Sequence, residues 1–301
     1  MLNNKLGEII LKNLSPLRYP GGKSKLYDLI ELLIVNTGHK GGTYIEPFAG
    51  GAGIALKLLE NKIVSRVVIN DLDKGIYSFW RAILTENRRF IQKIKETPVT
   101  VNEWEKQRNI LLCQNKKYNF ELGFATFFLN RTNRSGIIKG GIIGGKSQNG
   151  IWKIDARYNK NDLIKRIEKI YQYKNNIDIY NKDVNSLITR YIPLYGNNSF
   201  VYFDPPYFCK GRELYLNFFE YADHIRIEEH INNYVDCDWV ITYDDVPEIA
   251  DIYKNHILRK FDLNYSAAIK RKASEIIIFK NYNMIPTVRQ LEQNAVCVNL
   301  R

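Results

Sequence analysis

Hydrophobic and polar residues alternate along this chain with two different periods, and each period predicts one kind of element. Short runs rich in β-branched and aromatic residues predict strands at 66–69, 177–180, 199–203 and 239–243, and a further extended segment begins at Thr43. Apolar residues three and four positions apart predict helices at 26–33, 54–59, 222–234 and 246–254. Strands that alternate with helices are typical of an α/β fold with a largely parallel sheet.

The stretch between the second and third predicted strands breaks this alternation. Helical periodicity runs through 74–118, 121–132 and 163–170, with Asn161 as a candidate N-cap of the last helix. We therefore expect a mostly helical insertion within an α/β domain. Two further β-like stretches, at 257–265 and 275–279, predict an antiparallel edge of the sheet.

The tetrapeptide Asp204-Pro205-Pro206-Tyr207 follows the predicted strand at 199–203. Proline has no N–H for a strand's hydrogen bonds, so the strand ends at Asp204. Because ligands of open α/β sheets bind at the carboxyl ends of the strands, Asp204 would face a binding site, beside a backbone carbonyl and the ring of Tyr207. This arrangement suits a planar ring with an exocyclic amine. A plain strand-ending turn, in which Asp204 caps and Tyr207 packs, is the alternative.

A glycine-rich turn, Gly50-Gly51-Ala52-Gly53, joins a predicted strand to a predicted helix, as in the first half of a dinucleotide-binding βαβ unit. The next strand ends at Asn70-Asp71, where an acid is suited to accept hydrogen bonds from a ribose. An adenosine-containing ligand is therefore expected, and the lack of a third matching glycine argues against NAD. Gly21-Gly22-Lys23 is not a triphosphate-binding loop, because Leu17 stands where that motif needs glycine.

The charge of the chain suggests a class of partner. The net charge is +12 and the isoelectric point about 9.3, which favours a polyanion. Many basic residues fall in one glycine-rich stretch that also holds Trp152 and Tyr158: Arg131, Arg134, Lys139, Lys146, Lys153, Arg157 and Lys160. Such a stretch can neutralise phosphates and place rings on or between bases. A solvated surface loop is the alternative, since residues 133–150 are too polar to predict a packed element.

Other protein classes receive little support from the sequence. No apolar run is long enough to span a bilayer and no signal peptide is recognisable, so a cytoplasmic location is expected. The cysteines are widely separated and lack histidines at metal-binding spacing, so neither a disulfide framework nor a metal site is expected. We expect buried, reduced thiols at Cys113, Cys209, Cys237 and Cys297.

Five motifs stand in a fixed order along the chain: Arg18-Tyr19-Pro20-Gly21-Gly22-Lys23, Glu46-Pro47-Phe48-Ala49-Gly50-Gly51, Asn70-Asp71, Leu129-Asn130-Arg131 and Asp204-Pro205-Pro206-Tyr207. With them the chain resembles the Dam family (D12 class) of DNA N6-adenine methyltransferases, from Pro16 to about Lys280. The resemblance implies a Rossmann-like methyltransferase sheet at residues 1–74 and 164–301, and an inserted, mostly helical target-recognition domain at residues 75–163. It also implies S-adenosylmethionine as cofactor and double-stranded DNA as partner.

The resemblance further implies the residues of the site. Around S-adenosylmethionine it places Tyr19, Lys23, Asp71 and Asp204, with Glu46, Phe48 and Gly50 as the pocket wall and Asp183 near the cofactor's adenine. The catalytic residues would be Asp204, Pro205 and Tyr207. Because Arg18 matches a basic residue directed at DNA and the recognition hairpin begins at 130–136, the DNA-binding candidates are Arg18, Arg131, Asn133, Arg134, Ser135, Lys139 and Arg157.

The chain departs from the family in the recognition segment. Members that recognise GATC usually carry an aromatic residue and an asparagine just before the glycine that Gly136 matches, whereas this chain has Arg134 and Ser135. The adjoining segment 137–152 also differs in glycine content. The resemblance therefore implies the reaction and leaves the recognition sequence unassigned.

The expected mechanism depends on the amine of adenine, whose nitrogen lone pair is delocalised into the ring. If Asp204 and the Pro205 carbonyl each accept an N6 hydrogen, the lone pair becomes available for direct in-line methyl transfer without a covalent enzyme intermediate. Tyr207 would stack on a base flipped out of the duplex.

Two alternatives remain at this point. The acceptor could be cytosine N4 or an RNA adenine; Asp204 favours adenine, because serine commonly leads this motif in cytosine enzymes and asparagine in protein glutamine methylases. The chain could instead be an inactive DNA-binding protein, against which the intact Tyr19, Lys23, Asp71 and Asp204 argue. A companion restriction endonuclease is compatible with the sequence, and the oligomeric state is open.

Overall fold

The computed structural model describes residues 14–18, 26–113, 118–208, 219–264, 272–298 and 300–301. Within these residues, seven strands form one sheet. They are β1 (Thr43–Glu46), β2 (Arg66–Asn70), β3 (Ile177–Tyr180), β4 (Ser199–Phe203), β5 (Asp238–Asp244), β6 (Ile257–Asn264) and β7 (Lys272–Phe279). Each strand lies where a β-like run predicts it.

The strand order is β3-β2-β1-β4-β5-β7-β6. The first five strands in this order, β3, β2, β1, β4 and β5, are parallel to one another. Strand β7 lies between β5 and β6 and is antiparallel to both, which confirms the predicted antiparallel edge. The order reverses between the neighbours β1 and β4, since β2 and β3 separate them in sequence. At such a switch point the connections leave on opposite faces, and this makes room for a ligand at the carboxyl ends of the strands.

Within the same described ranges, the helices are α1 (Tyr27–Asn36), α2 (Gly53–Glu60), α3 (Lys74–Thr85), α4 (Asn87–Glu96), α5 (Val101–Leu112), α6 (Phe120–Thr132), α7 (Lys160–Gln172), α8 (Val184–Ser186), α9 (Tyr221–Tyr234), α10 (Pro247–Ile252) and α11 (Val288–Gln293). A π-helical turn, Leu187–Tyr191, continues α8. The prediction that Asn161 caps α7 was wrong. The cap is Asn159, whose side chain accepts the Asp162 N–H and satisfies a donor of the first turn.

Buried apolar residues form one cluster on each face of the sheet, because successive residues of a strand point to opposite faces. Val201 and Phe203 of β4 lie in the cluster that includes residues of α9 and α10. Phe200 lies in the other cluster, together with α1, α2 and the insertion residues Phe79 and Phe127. The helical insertion and the sheet therefore share one hydrophobic core.

Helices α3 to α7 all lie between β2 and β3 in sequence. The predicted boundary at residue 163 falls inside α7, which is continuous from Lys160 to Gln172. Leu163, Ile164 and Ile167 are buried on one face of this helix, so its packing continues across the boundary. The predicted boundary therefore divides a continuous, packed helix.

The glycine-rich stretch after α6 packs more closely than its polar composition predicts. Asn133 and Ile142 form an antiparallel bridge, and Ile142 and Ile154 belong to the core that includes the insertion helices. Gln148 holds the intervening turn: its amide donates to the Ile143 carbonyl at 2.8 Å, and its Oε1 accepts the Ile154 N–H at 2.8 Å. The expectation of an unpacked segment was therefore wrong, because a few isoleucines and one glutamine anchor it.

The cysteine prediction was correct for Cys237, which is buried, and wrong for Cys113 and Cys297, which are exposed. Cys113 ends α5 and Cys297 follows α11, so both lie at helix ends rather than in a core. Cys209 lies outside the described residues. In the part of the chain that the structure describes, no helix is long and apolar enough to cross a membrane.

Candidate active site

A row of acidic residues lines the carboxyl edge of the parallel strands. In the order of the sheet they are Asp183 after β3, Asp71 after β2, Glu46 in β1, Asp204 after β4 and Asp244 in β5. Parallel strands present their carboxyl ends at the same edge, so the topology brings together acids that are far apart in sequence.

The Asp71 carboxylate holds the glycine-rich turn against the end of β2. Its Oδ2 accepts the Gly50 N–H at 3.0 Å, and its Oδ1 accepts the Asp73 N–H at 2.9 Å. Burial and the nearby charge of Asp73 raise the pKa of Asp71 to about 7, against the opposing effect of these two donors. Since each carboxylate oxygen has two lone pairs, Asp71 retains acceptor capacity for a ligand hydroxyl pair.

Asn70 ties three strand ends together, a role that the sequence did not reveal. Its amide donates to the Pro47 carbonyl at 2.9 Å and to the Lys182 carbonyl at 3.0 Å. Its Oδ1 accepts the Lys182 N–H at 2.9 Å. A polar residue that ends an otherwise apolar strand is the signal that could have indicated this side chain.

Glu46 is buried, with 7% of its surface exposed, and accepts the Tyr44 hydroxyl at 2.9 Å. Burial raises the pKa of Glu46 to about 8, and the neighbouring charge of Asp204 adds to the shift. Hydrogen bonds from Tyr44 and from the Ala55 N–H in the first turn of α2 oppose it. Glu46 therefore retains its proton at neutral pH, next to Asp204.

Neighbouring strands anchor the tetrapeptide 204–207. The Thr242 hydroxyl donates to Asp204 Oδ1 at 3.1 Å, and the Tyr207 hydroxyl donates to Glu275 Oε2 at 2.7 Å. The following Phe208 N–H donates to Asp244 Oδ1 at 3.0 Å. Burial, and then the charges of Asp204 and Glu275, raise the pKa of Tyr207 well above its usual value, so the phenol remains a donor. Sequence reasoning identified the tetrapeptide and missed its anchors.

The remaining predicted cofactor residues are less closely joined to this centre. Phe48 is half-buried and lies edge-on to Phe219, with ring centroids 5.9 Å apart. Asp183 is exposed and caps α8 by accepting the Ser186 N–H at 2.9 Å. Partial desolvation raises the pKa of Asp183, but hydrogen bonds from Ser186 outweigh this effect and lower the pKa below its usual value. Tyr19 and Lys23 lie outside the described residues.

Asn130 clamps Arg18, the first residue of the first motif, onto the insertion. Its Oδ1 accepts the Arg18 N–H at 2.7 Å, and its amide donates to the Arg18 carbonyl at 2.7 Å and to the Gly136 carbonyl at 2.8 Å. Gly136 has a φ of 78°, and an added Cβ would lie 2.7 Å from the Arg18 oxygen. The asparagine of the Leu129-Asn130-Arg131 motif therefore has a structural role that its sequence position did not reveal.

Arginine side chains converge on this clamp. Arg131 Nε donates to the Arg157 carbonyl at 2.7 Å, and Arg18 NH1 donates to the Asn133 carbonyl at 3.1 Å. Burial, and then Arg18 and Arg166, lower the pKa of Arg131 to about 10. Burial, and then Arg157, lower that of Arg18. Mutual repulsion of this kind marks a concentration of positive charge that favours an anionic ligand.

Two expectations for the recognition segment are corrected. Asn133 is fully buried, and it binds Trp104 Nε1 and the Ile137 and Ile138 carbonyls, so its side chain shapes the segment and does not face DNA. Tyr158 is buried, and its ring packs against Phe127 and Phe128 of α6. Among the basic and aromatic residues predicted for this segment, the exposed ones are Arg134, Lys139, Lys146, Trp152, Lys153 and Arg157, and Ser135 is also exposed.

The residues at the carboxyl edge fit S-adenosylmethionine in part of its structure. Asp71 offers a carboxylate beside the glycine-rich turn, and an added Cβ on Gly53 would meet no atom within 4 Å, so the space there is open. Tyr77 and Trp80 help to line a small cavity beside Asp71.

The sheet order, the glycine-rich turn and the acid after β2 define a Rossmann-like fold with a site for an adenosine-containing ligand. The family model for D12 class N6 adenine-specific DNA methyltransferases matches residues 19–268. Since this is most of the chain, the protein belongs to that family. It transfers a methyl group from S-adenosylmethionine to adenine N6 of DNA.

The chain is 24% identical over 207 residues to the Type II methyltransferase M.MjaIII of Methanocaldococcus jannaschii, over 64% of this chain and 68% of the relative. The rRNA methyltransferase aviRa from Streptomyces viridochromogenes aligns with 87% of this chain and 86% of its own, at 12% identity and a TM-score of 0.40. TrmK of M. capricolum in complex with S-adenosyl-homocysteine aligns with 83% and 67%, at 9% identity and a TM-score of 0.35.

Proposed function

We propose that the protein methylates a flipped adenine at a specific sequence of double-stranded DNA, with Asp204 and the Pro205 carbonyl as acceptors of the N6 hydrogens and Tyr207 as the stacking ring. The observation that carries this assignment is the anchoring of the tetrapeptide by Thr242 and Glu275. A turn that only ended a strand would not need both of its polar side chains held from neighbouring strands.

S-adenosylmethionine, when bound, supplies an electrophilic methyl group, and Asp71, Glu46, Phe48 and Gly50 would hold it together with Tyr19, Lys23 and Asp183. Asp204 accepts one N6 hydrogen, and the nitrogen lone pair is thereby directed away from the ring. Catalysis consists of positioning and of electrostatic stabilisation, since the developing positive charge on N6 lies beside the Asp204 carboxylate. The proton that leaves N6 after transfer passes to solvent or to Asp204.

Double-stranded DNA is the substrate that the positive cluster supports. Arg18, Arg131 and Arg157 concentrate positive charge where the insertion meets the sheet domain, and this charge favours phosphate binding. Arg134, Ser135 and Lys139 are exposed on the adjoining segment and are the candidates for base contacts. The insertion α3 to α7 with the segment 133–159 would then be the target-recognition domain.

Asp204→Ala tests the catalytic assignment. We expect the variant to bind DNA normally and to lose methyl transfer by roughly a hundredfold or more, because it loses a transition-state contact. Tritium transfer from labelled S-adenosylmethionine measures the rate, and fluorescence anisotropy measures DNA binding. Asp236→Ala, at an exposed carboxylate, is the matched control. Near-normal turnover of Asp204→Ala would show that the tetrapeptide does not carry the reaction.

The same assay on duplex DNA, single-stranded DNA and RNA tests the substrate. We expect label in N6-methyladenine of the duplex, and sequencing of the product then identifies the recognition sequence. Label confined to single strands or to RNA would contradict the duplex assignment.

We also propose that the protein works beside a restriction endonuclease, because the relative from Methanocaldococcus jannaschii carries the name Type II methyltransferase. Plasmid DNA modified by the protein should then resist endonucleases that cut at the identified sequence. Unchanged cleavage of fully modified DNA would contradict a protective role.

A further inference from the structure

A buried chain of hydroxyl groups leads to the Asp204 carboxylate. The Tyr202 and Thr242 hydroxyls are 2.9 Å apart, and Thr242 Oγ1 is 3.1 Å from Asp204 Oδ1. Thr242 is fully buried and Tyr202 is 2% exposed. Tyr202 lies in β4 and Asp204 follows the end of that strand, two positions further on. Thr242 lies on the adjacent strand β5, two positions after Val240, the residue that pairs with Tyr202.

Proton counting fixes the direction of this chain. An ionised carboxylate only accepts hydrogen bonds, and a threonine hydroxyl has a single hydrogen. If that hydrogen is donated to Asp204, the Thr242 oxygen has only lone pairs left for Tyr202, and Tyr202 must be the donor of the other bond. The order Tyr202 to Thr242 to Asp204 is therefore the one that keeps Asp204 an acceptor.

We propose that Thr242 is a positioning residue for methyl transfer, and that Tyr202 orients the Thr242 hydroxyl. This inference rests on the proposed role of Asp204. A carboxylate that must accept an N6 hydrogen needs a fixed orientation. A donor on a buried strand holds one of its oxygens in place, and it does so without the entropy cost of ordering a solvent-exposed side chain. The family motifs in the sequence include neither Thr242 nor Tyr202.

Thr242→Val removes the hydroxyl with little change of shape, and Thr242→Ser keeps it. We expect the single-turnover rate of Thr242→Val to fall by about 10- to 100-fold, the equivalent of one hydrogen bond to a charged group. Affinities for S-adenosylmethionine and DNA should change by less than about threefold, and Thr242→Ser should stay within about threefold of the wild-type rate.

Thr126→Val is the matched control, because Thr126 is also fully buried and its hydroxyl has no hydrogen-bond partner among the described residues. We expect its rate to be unchanged. A double-mutant cycle tests the chain itself: Tyr202→Phe should slow transfer by about 3- to 10-fold in the wild type and have no further effect in Thr242→Val, since the two hydroxyls act in series.

Three results would overturn the proposal: a normal rate in Thr242→Val, an equal loss in Thr242→Ser, or additive effects in the double mutant. Asp204→Ala measured in parallel separates the two levels of inference. An inactive Asp204→Ala with an active Thr242→Val refutes only the positioning role, whereas an active Asp204→Ala refutes the proposed function.

Discussion

The buried carboxyl of Glu46 makes the stability of the protein depend on pH in a direction that can be measured. In the folded protein the pKa of Glu46 is raised from 4.5 to about 8, first by burial and then by the charge of Asp204. Between these two values the folded protein keeps a proton that the unfolded chain releases. The free energy of unfolding therefore decreases as pH rises through this interval.

The size of the effect follows from the shift. At 1.36 kcal/mol per pKa unit, a change from 4.5 to about 8 corresponds to a destabilisation of about 5 kcal/mol above the folded pKa. Asp71, with a pKa raised to about 7, acts in the same direction, so the wild-type curve contains both contributions. The contribution of Glu46 is isolated by the difference between the wild type and a variant that cannot ionise at this position.

Glu46→Gln is that variant, because its amide oxygen can still accept the Tyr44 hydroxyl. We expect the two proteins to unfold at similar urea concentrations near about pH 5, and Glu46→Gln to be more stable by roughly 2–5 kcal/mol near about pH 8. Fluorescence of the four tryptophans follows unfolding, and Glu292→Gln, at an exposed carboxylate, is the control. A difference that stays constant across this range would refute the reasoning, because it would mean that Glu46 does not change protonation there.

Two further predictions concern the clamp and the turn. Asn130→Ala should lower the free energy of unfolding by about 2–3 kcal/mol and speed hydrogen exchange at the Arg18 amide, because three hydrogen bonds are lost; exposed Asn232→Ala is the control, and unchanged exchange would contradict the clamp. Gly53→Ala should raise stability by about 0.5–1 kcal/mol and weaken S-adenosylmethionine binding by about tenfold or more in calorimetric titration, because the new methyl group fills open space over the turn. Unchanged affinity would show that the cofactor does not approach Gly53.

Local sequence was sufficient for the strands and for the main parts of the site. The strand 199–203 and its tetrapeptide were predictable, because a β-branched and aromatic run favours a strand and the two prolines that follow cannot continue its hydrogen bonds. The order of the motifs assigned the Gly50 turn and Asp71 to the same ligand site, and the Gly50 N–H donates a hydrogen bond to Asp71 in the structure. By contrast, Asn133 was predicted as a DNA contact because it lies where the recognition hairpin of the family begins. Its burial was not predictable, because it depends on Trp104, on a different helix.

The sequence by itself determined the order of strands and helices, the family and the identity of the tetrapeptide, because residue type and spacing act within a few neighbouring positions. The tertiary structure alone decided how these parts are held. Thr242 reaches Asp204 across 38 residues, and Asn130 reaches Arg18 across 112. Such contacts depend on which elements become neighbours. The packing of the whole chain into the two hydrophobic clusters, one on each face of the sheet, decides this.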